Sequence, residues 1–378
     1  MPNAVELLSQ LVEINSVNPD LVPGASGESD IAAFCAGWLA RHDFEVTRVE
    51  DTPGRPSVVG VLRGTGGGRS LMFNGHIDTV TLQGYDGDPL VPRIVDGRLY
   101  GRGAFDMKGS LAACMLAAAD ANGRDLRGDV IVTAVSDEEF ASVGTEAVAA
   151  SLHADAAIVT EPTDLKVAVA HRGFVHLEVE TIGRAAHGSR PQLGIDAIAK
   201  MGRVLTGIGE LDRRLRASPF HAHLGSGSAH ASVIEGGQEY SSYPAHCVVQ
   251  AERRTIPGET AELAVGEIQA ILDEAASADP EFEGVVRSLA SREPFAIDED
   301  AEVVRTVRRC AAPILGSEPE VVGVSFWADS ALLGAAGIPT VLFGPCGDGL
   351  HTEVEWVDVP SLEQCVAIYG AVASEICR

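Results

Sequence analysis

Apolar positions recur at helical spacing over residues 3–16, and again from Glu28 to about Arg41 after the turn-forming Ser26-Gly27. Short apolar runs at about 57–63 and 70–76 predict strands. The segment 107–121 is so rich in Ala, Leu and Met that it predicts a helix buried on all sides. Asp129–Val135 and Ala156–Thr160 are again short apolar strands, and carboxylates stand at their C-terminal ends. Strand–helix–strand alternation implies parallel pairing through crossover helices.

The pattern changes after about His171. Phe174–Thr181 alternates like a half-buried strand, and Gly194–Arg216 carries apolar residues at helical spacing. Ala229–Glu235 and His246–Thr255 read as half-buried strands, and Glu259–Ala276 as a second helix. A further helix at 299–316 precedes Val321–Val324 and Pro339–Phe343, which resume the fully apolar strand style. These switches predict an α/β chain. A discontinuous main domain, about 1–172 and 285–378, is interrupted by a smaller inserted α+β domain, 173–284.

The 378 residues suit two domains, and 46% hydrophobic with 22% charged residues is ordinary for a globular protein. A formal net charge of −26 argues against nucleic acid or an anionic membrane as partner. Seven cysteines without a CxxC pair read as buried small hydrophobes in a reducing compartment, neither a disulfide framework nor a cysteine-based zinc site. The first residues lack a basic and an apolar signal region, and no run approaches the ~18 apolar residues of a membrane span, so a cytoplasmic enzyme is expected.

The chemistry concentrates where strands end. Phe73-Asn74-Gly75-His76-Ile77-Asp78-Thr79-Val80 closes one predicted strand, and Gly101-Arg102-Gly103-Ala104-Phe105-Asp106-Met107-Lys108-Gly109 opens the buried helix. Ser136-Asp137-Glu138-Glu139, Thr160-Glu161-Pro162-Thr163 and Gly349-Leu350-His351-Thr352 each follow an apolar run. Ligands gathered at strand C-termini are the way an open α/β sheet builds a site. With neutral His76 and His351 and ionised Asp106, Glu139 and Glu161, five ligands carry −3; two divalent ions and one hydroxide bring the sum to zero. That balance suits a hydrolase whose ions lie ~3.5–4 Å apart around a shared carboxylate and a water. Mixed His and carboxylate donors suit Zn²⁺ first, with Co²⁺ or Mn²⁺ as alternatives. Adjacent Glu138 and Glu139 cannot present the same geometry to one ion. One binds, and the other can serve as general base with a pKa raised by burial and like charge. Asp78, two residues past His76 on an extended segment, is placed to orient the second ring nitrogen of that histidine.

These motifs resemble, in order along nearly the whole chain, the M20 metallopeptidases: acetylornithine deacetylase, succinyl-diaminopimelate desuccinylase, aminoacylase-1 and carboxypeptidase G2. The matching segments are Gly75–Val80, Tyr100–Gly109, Asp137-Glu138-Glu139, Glu161-Pro162-Thr163, Ala186-His187-Gly188-Ser189-Arg190-Pro191 and the late His351. The resemblance implies that Asp106 bridges two metals, that His76 and Glu161 complete one site, and that Glu139 and His351 complete the other. It implies Glu138 as general base, Asp78 as the orienting group for His76, and His187 as an oxyanion donor, commonly reaching the other subunit of a dimer. Arg254 is implied to bind the substrate carboxylate; its neighbour Arg253 points the other way on a strand, so only one of the two can serve. Ser242 occupies a place where the family often has Asn. The expected activity is hydrolysis of an N-acyl amino acid; the resemblance makes the discontinuous α/β domain, 1–172 and 285–378, a di-metal catalytic domain and the α+β insert, 173–284, a lid or dimerisation domain through which a homodimer forms. A dipeptidase or carboxypeptidase of the same family and a non-catalytic metal-binding regulator are the alternatives.

Overall fold

The computed structural model describes residues 3–122, 126–217 and 221–378. The chain folds as two compact units. One comprises Met1–Val169, Ile297–Val322 and Ala328–Arg378, and the other Ala170–Ala296 with Gly323–Trp327.

In the first unit the apolar runs form the heart of a mixed sheet. Leu71–His76 lies between Val130–Val135 and Ala156–Val159, parallel to both, and Thr340–Leu342 adds to Ala156–Val159, also parallel. Every residue of these four strands is buried, as expected for strands covered on both faces. Four parallel strands end at one sheet edge, so the residues that follow them are delivered to one place. The flanks depart from the all-parallel expectation. Ser57–Leu62 runs antiparallel to Val130–Val135 and pairs on its far side with Glu45–Val49, a strand whose alternation was too polar to read in the sequence.

Helix Lys108–Asp120 is buried along nearly its whole length, matching the expected 107–121. Its small residues let it pack against both the sheet and the final helix, Val359–Ile376. The first helix is shorter than expected, Ala4–Val12. A capping box opens it, with Asn3 Oδ1 accepting from Glu6 N at 2.8 Å. The chain then leaves helical geometry so that Val17 can bridge to Thr79, beside the strand end that carries His76.

The second unit is a four-stranded antiparallel sheet in the order Ser228–Gly236, His246–Thr255, Gly173–Ile182, Glu283–Arg292. Helices Ala197–Ala217 and Ala261–Ala278 supply its core with Val204, Ile208, Ile268 and Leu272 against Val175, Leu177 and Val179. Residues 285–296, assigned from sequence to the catalytic domain, fall in this unit. Glu283–Arg292 hydrogen-bonds along the length of Gly173–Ile182, and its largely exposed side chains left no strand signature. Among the described residues no helix is long and apolar enough to cross a membrane.

Candidate metal centre

His76 is the last residue of its strand, buried at 1% exposure. Its Nε2 lies 3.1 Å from Asp106 Oδ1, 3.9 Å from Glu161 Oε1 and 4.0 Å from Glu138 Oε2. The other oxygen of Asp106, Oδ2, lies 3.2 Å from His351 Nε2, and that nitrogen is 2.9 Å from Glu139 Oε2. Asp106 thus turns one oxygen to each histidine. Around these, His76, Asp106 and Glu139 form one group with ligand atoms within 4.8 Å of one another, and His76, Glu138 and Glu161 form a second.

Local backbone geometry makes the convergence possible. Asp106 follows Gly103, whose φ of +78° would strain any side chain and whose added Cβ would meet Thr79 Cγ2 at 2.8 Å. The Asp106–Met107 peptide is cis. Before His351, Gly349 has φ +93°, and a Cβ there would fall 1.8 Å from Val354 O. His351 itself is left-handed, at φ 59°, and half its side chain is open to solvent.

Asp78 faces the second ring nitrogen of His76 with both its backbone carbonyl and its carboxylate. His76 Nδ1 is 3.0 Å from the backbone carbonyl of Asp78, while the nearer carboxylate oxygen is 3.5 Å away. The carboxylate also accepts from the backbone N–H groups of Glu138, at 3.1 Å, and Glu139, at 3.2 Å. Asn18 Nδ2 donates to both Asp78, at 2.8 Å, and Asp137, at 3.0 Å. Behind Asp137 stands buried Arg55, bonded to Asp137 at 2.7 Å, to Glu28 at 2.6 Å and to Asp20. Asn18, Arg55 and Glu28 escaped the sequence reading because no spacing links residues so far apart in the chain; Asp137 is read there as part of its motif but without a role.

Asp329 precedes helix Ser330–Ala335 but makes no side-chain cap to it. It is buried at 1% exposure and accepts from Thr145 Oγ1 at 2.5 Å. Burial pushes its carboxyl up to about 6, and its charge adds to the negative field at Glu138 and Glu161.

The electrostatics of the cluster are those of a site short of positive charge. Burial and the Glu161 carboxylate hold Glu138 well above the ordinary range, and burial does the same to Glu161. Burial and Asp106 push Glu139 up to about 7. Hydrogen bonds to Asp106 and Glu139 raise His351 to about 10. At Asp106 burial opposes ionisation, but the hydrogen bonds from His351 and His76 outweigh it and hold the carboxyl well below its usual range. Protons here fill a role that divalent cations fill better: a buried set of imidazoles and carboxylates is the donor chemistry of Zn²⁺ and its neighbours. The residues present therefore fit a pair of divalent ions.

The remaining predicted residues lie in the second unit. His187 is exposed, with Nδ1 2.8 Å from Ser189 Oγ, and its backbone bridges to Ser242. The Ser242 hydroxyl donates to Glu239 Oε1 at 2.6 Å. Arg253 and Arg254 do point opposite ways. Arg253 is buried between Glu259 and Glu267, each at 2.8 Å, which removes it from substrate binding. Arg254 is about one-third exposed on the helix-free face, 2.7 Å from Glu252 and over the Phe174 ring at 5.5 Å.

Residues 72–375 match the model of peptidase family M20/M25/M40. Among curated relatives, acetylornithine deacetylase of Myxococcus xanthus is 31% identical over all of this chain and 98% of its own. N-formyl-4-amino-5-aminomethyl-2-methylpyrimidine deformylase of Bacillus subtilis is 28% identical over 91% of this chain and 88% of its own. Among solved structures, a tripeptidase from Staphylococcus aureus superposes with a TM-score of 0.82 at 20% identity, covering 99% of this chain and 98% of that one. A dinuclear metal-binding peptidase of the M20 family from Bacillus subtilis gives a TM-score of 0.77 at 15% identity, covering 99% and 97%. Family match, full-length relatives and a clustered donor set agree: this chain belongs to peptidase family M20/M25/M40 and is a metal-dependent hydrolase acting on amides.

Proposed function

We propose that the protein hydrolyses the amide of an N-acyl amino acid, releasing a carboxylic acid and the free amino acid. The observation that carries this reading is Asp106, whose two oxygens face different histidines, one beside Glu161 and the other beside Glu139. In this reading Asp106 is shared, His76 and Glu161 complete one site, and Glu139 and His351 complete the other. Zn²⁺ is the proposed ion, with Co²⁺ or Mn²⁺ as substitutes. Bound there, the pair supplies Lewis-acid polarisation of the carbonyl and acidification of water.

The chain's own groups do the rest. Glu138 takes the proton as water oxygen bonds to the carbonyl carbon, and passes it to the nitrogen as the C–N bond breaks. The high proton affinity of this buried carboxylate supports the role. Asp78 fixes the backbone of Glu138 and Glu139 through their N–H groups. His187 donates to the developing oxyanion, from a second subunit of a homodimer. Arg254 exchanges Glu252 for the carboxylate of the substrate, and Ser242 lies beside His187 as a further polar contact. The seven cysteines are all free thiols, which supports placement in the reducing cytoplasm.

Curated relatives named for deacetylation and deformylation favour an N-acyl substrate over a peptide. The test is amine release across N-acetyl, N-succinyl and N-formyl amino acids and dipeptides, on chelator-stripped protein with and without added Zn²⁺ or Co²⁺. Metal-dependent turnover of one N-acyl class is expected. Faster turnover of dipeptides would select the exopeptidase reading. No turnover with two ions bound would return weight to a binding protein.

A further inference from the structure

His351 and Asp106 must meet at one ion in the reading above, yet they sit on loops about 250 residues apart in sequence, and neither loop is a regular element. One carboxylate joins them. Glu355, four residues after His351 and 1% exposed, places Oε1 2.9 Å from Phe105 N and 3.0 Å from Asp106 N. Its Oε2 lies 2.9 Å from both Gly103 N and Arg102 Nη1. Both oxygens are thus filled by donors from the Asp106 loop. Buried Arg102 completes the connection in the opposite direction: Nη2 donates to Thr352 O, beside His351, at 2.9 Å, and Nε to Thr81 O at 3.1 Å.

A buried carboxylate facing three backbone N–H groups and a guanidinium is a costly arrangement unless every bond is made, so it fixes its loops in one geometry. We propose that Glu355, clamped by Arg102, is a positioning residue that sets the distance between Asp106 and His351 and so the affinity of the ion they share. The proposal rests on the two-metal reading and adds to it the residue that tunes the second site. Glu355→Gln keeps the shape but turns an amide NH₂ toward donors. Arg102→Lys keeps the charge but cannot span Glu355, Thr352 and Thr81 together.

The test is titration of chelator-stripped protein with Co²⁺, followed by visible absorbance and calorimetry, alongside thermal unfolding. Partners behind metal ligands typically contribute about 10- to 100-fold in affinity. Glu355→Gln is expected to lose that much at one of two sites, with an altered cobalt spectrum, and Arg102→Lys to lose about 10-fold. Val307→Ala, a core truncation in helix Glu302–Leu315, is expected to lower the melting temperature and leave both cobalt affinities within about twofold. If Glu355→Gln does not fold, Arg102→Lys carries the test. The proposal is overturned if the folded variants keep both cobalt affinities within about twofold of the parent, or lose them only as much as Val307→Ala does. A parent that binds no second ion overturns the two-metal reading itself, and this proposal falls with it; that outcome is visible before any variant is measured.

Discussion

Replacing Asp78 with Asn tests whether the Glu138–Glu139 backbone is held from below. Asp78 is fully buried, and its carboxylate accepts from Glu138 N at 3.1 Å, Glu139 N at 3.2 Å and Asn18 Nδ2 at 2.8 Å. Asn has the same shape but one acceptor oxygen. Whichever way the amide turns, its NH₂ faces at least one of these donors. One charge-assisted bond is lost, about 1.5–3 kcal/mol, and one buried N–H is left unpaired, about 1–3 kcal/mol. Relaxation of the loop recovers part of that, leaving about 3–4 kcal/mol expressed where Glu138 must be in place. At 1.36 kcal/mol per tenfold, kcat should fall by about 10²- to 10³-fold. Because the substrate carboxylate is recognised elsewhere, KM should stay within about threefold. The assay is steady-state amine release at saturating Zn²⁺, with metal content measured on the same sample. Asn18→Ala removes only one of the donors and should cost about tenfold. If Asp78→Asn carries two ions and keeps kcat within threefold, the hydrogen bonds from Asp78 do not position the general base.

Three further outcomes follow. Chelator-stripped protein at neutral pH holds protons on His351, raised to about 10 by its hydrogen bonds to Asp106 and Glu139, and in part on Glu139, pushed up to about 7 by burial and Asp106; burial moves Glu138 and Glu161 in the same direction. Divalent ions must expel these protons, so calorimetry in buffers of different ionisation enthalpy should report release of at least about one proton, and affinity should weaken as pH falls from 8 to 6; uptake of protons would contradict the donor set. Arg55→Met leaves Glu28 and Asp137 buried without their guanidinium, and urea unfolding should show a loss of about 3–5 kcal/mol, whereas a loss under 1 kcal/mol would show that the network is not stabilising. A thiol reagent applied to native protein should label Cys346 first, since the other six cysteines are buried; rapid labelling of several would contradict the packing.

The residues with chemical character were legible because the fold delivers them by simple means. Strands Leu71–His76, Val130–Val135 and Ala156–Val159 are apolar runs, and the functional groups follow directly at their ends. Gly103 and Gly349 marked the tight backbone near Asp106 and His351. What holds these groups was not legible. The bond from Asn18 to Asp137 spans 119 positions and that from Glu355 to Asp106 spans 249, and such pairs leave no period or motif in a single chain. Strand direction was hidden for a related reason: Ser57–Leu62 is buried throughout, and an apolar run reads the same whether its neighbour is parallel or antiparallel. Glu283–Arg292 was missed because its exposed face dilutes the alternation, and with it the extent of the second unit.

The central claim is that Glu138 moves the proton at a centre built on Asp106. It is tested most directly by Glu138→Gln measured for metal content and for amide hydrolysis on the same preparation. The account predicts that this variant still binds two Zn²⁺ ions and loses at least about 10³-fold in kcat, while the parent loses activity on chelation and regains it as two equivalents are restored. A Glu138→Gln variant that retains both ions and turns over within tenfold of the parent, or a parent equally active without metal, would contradict it.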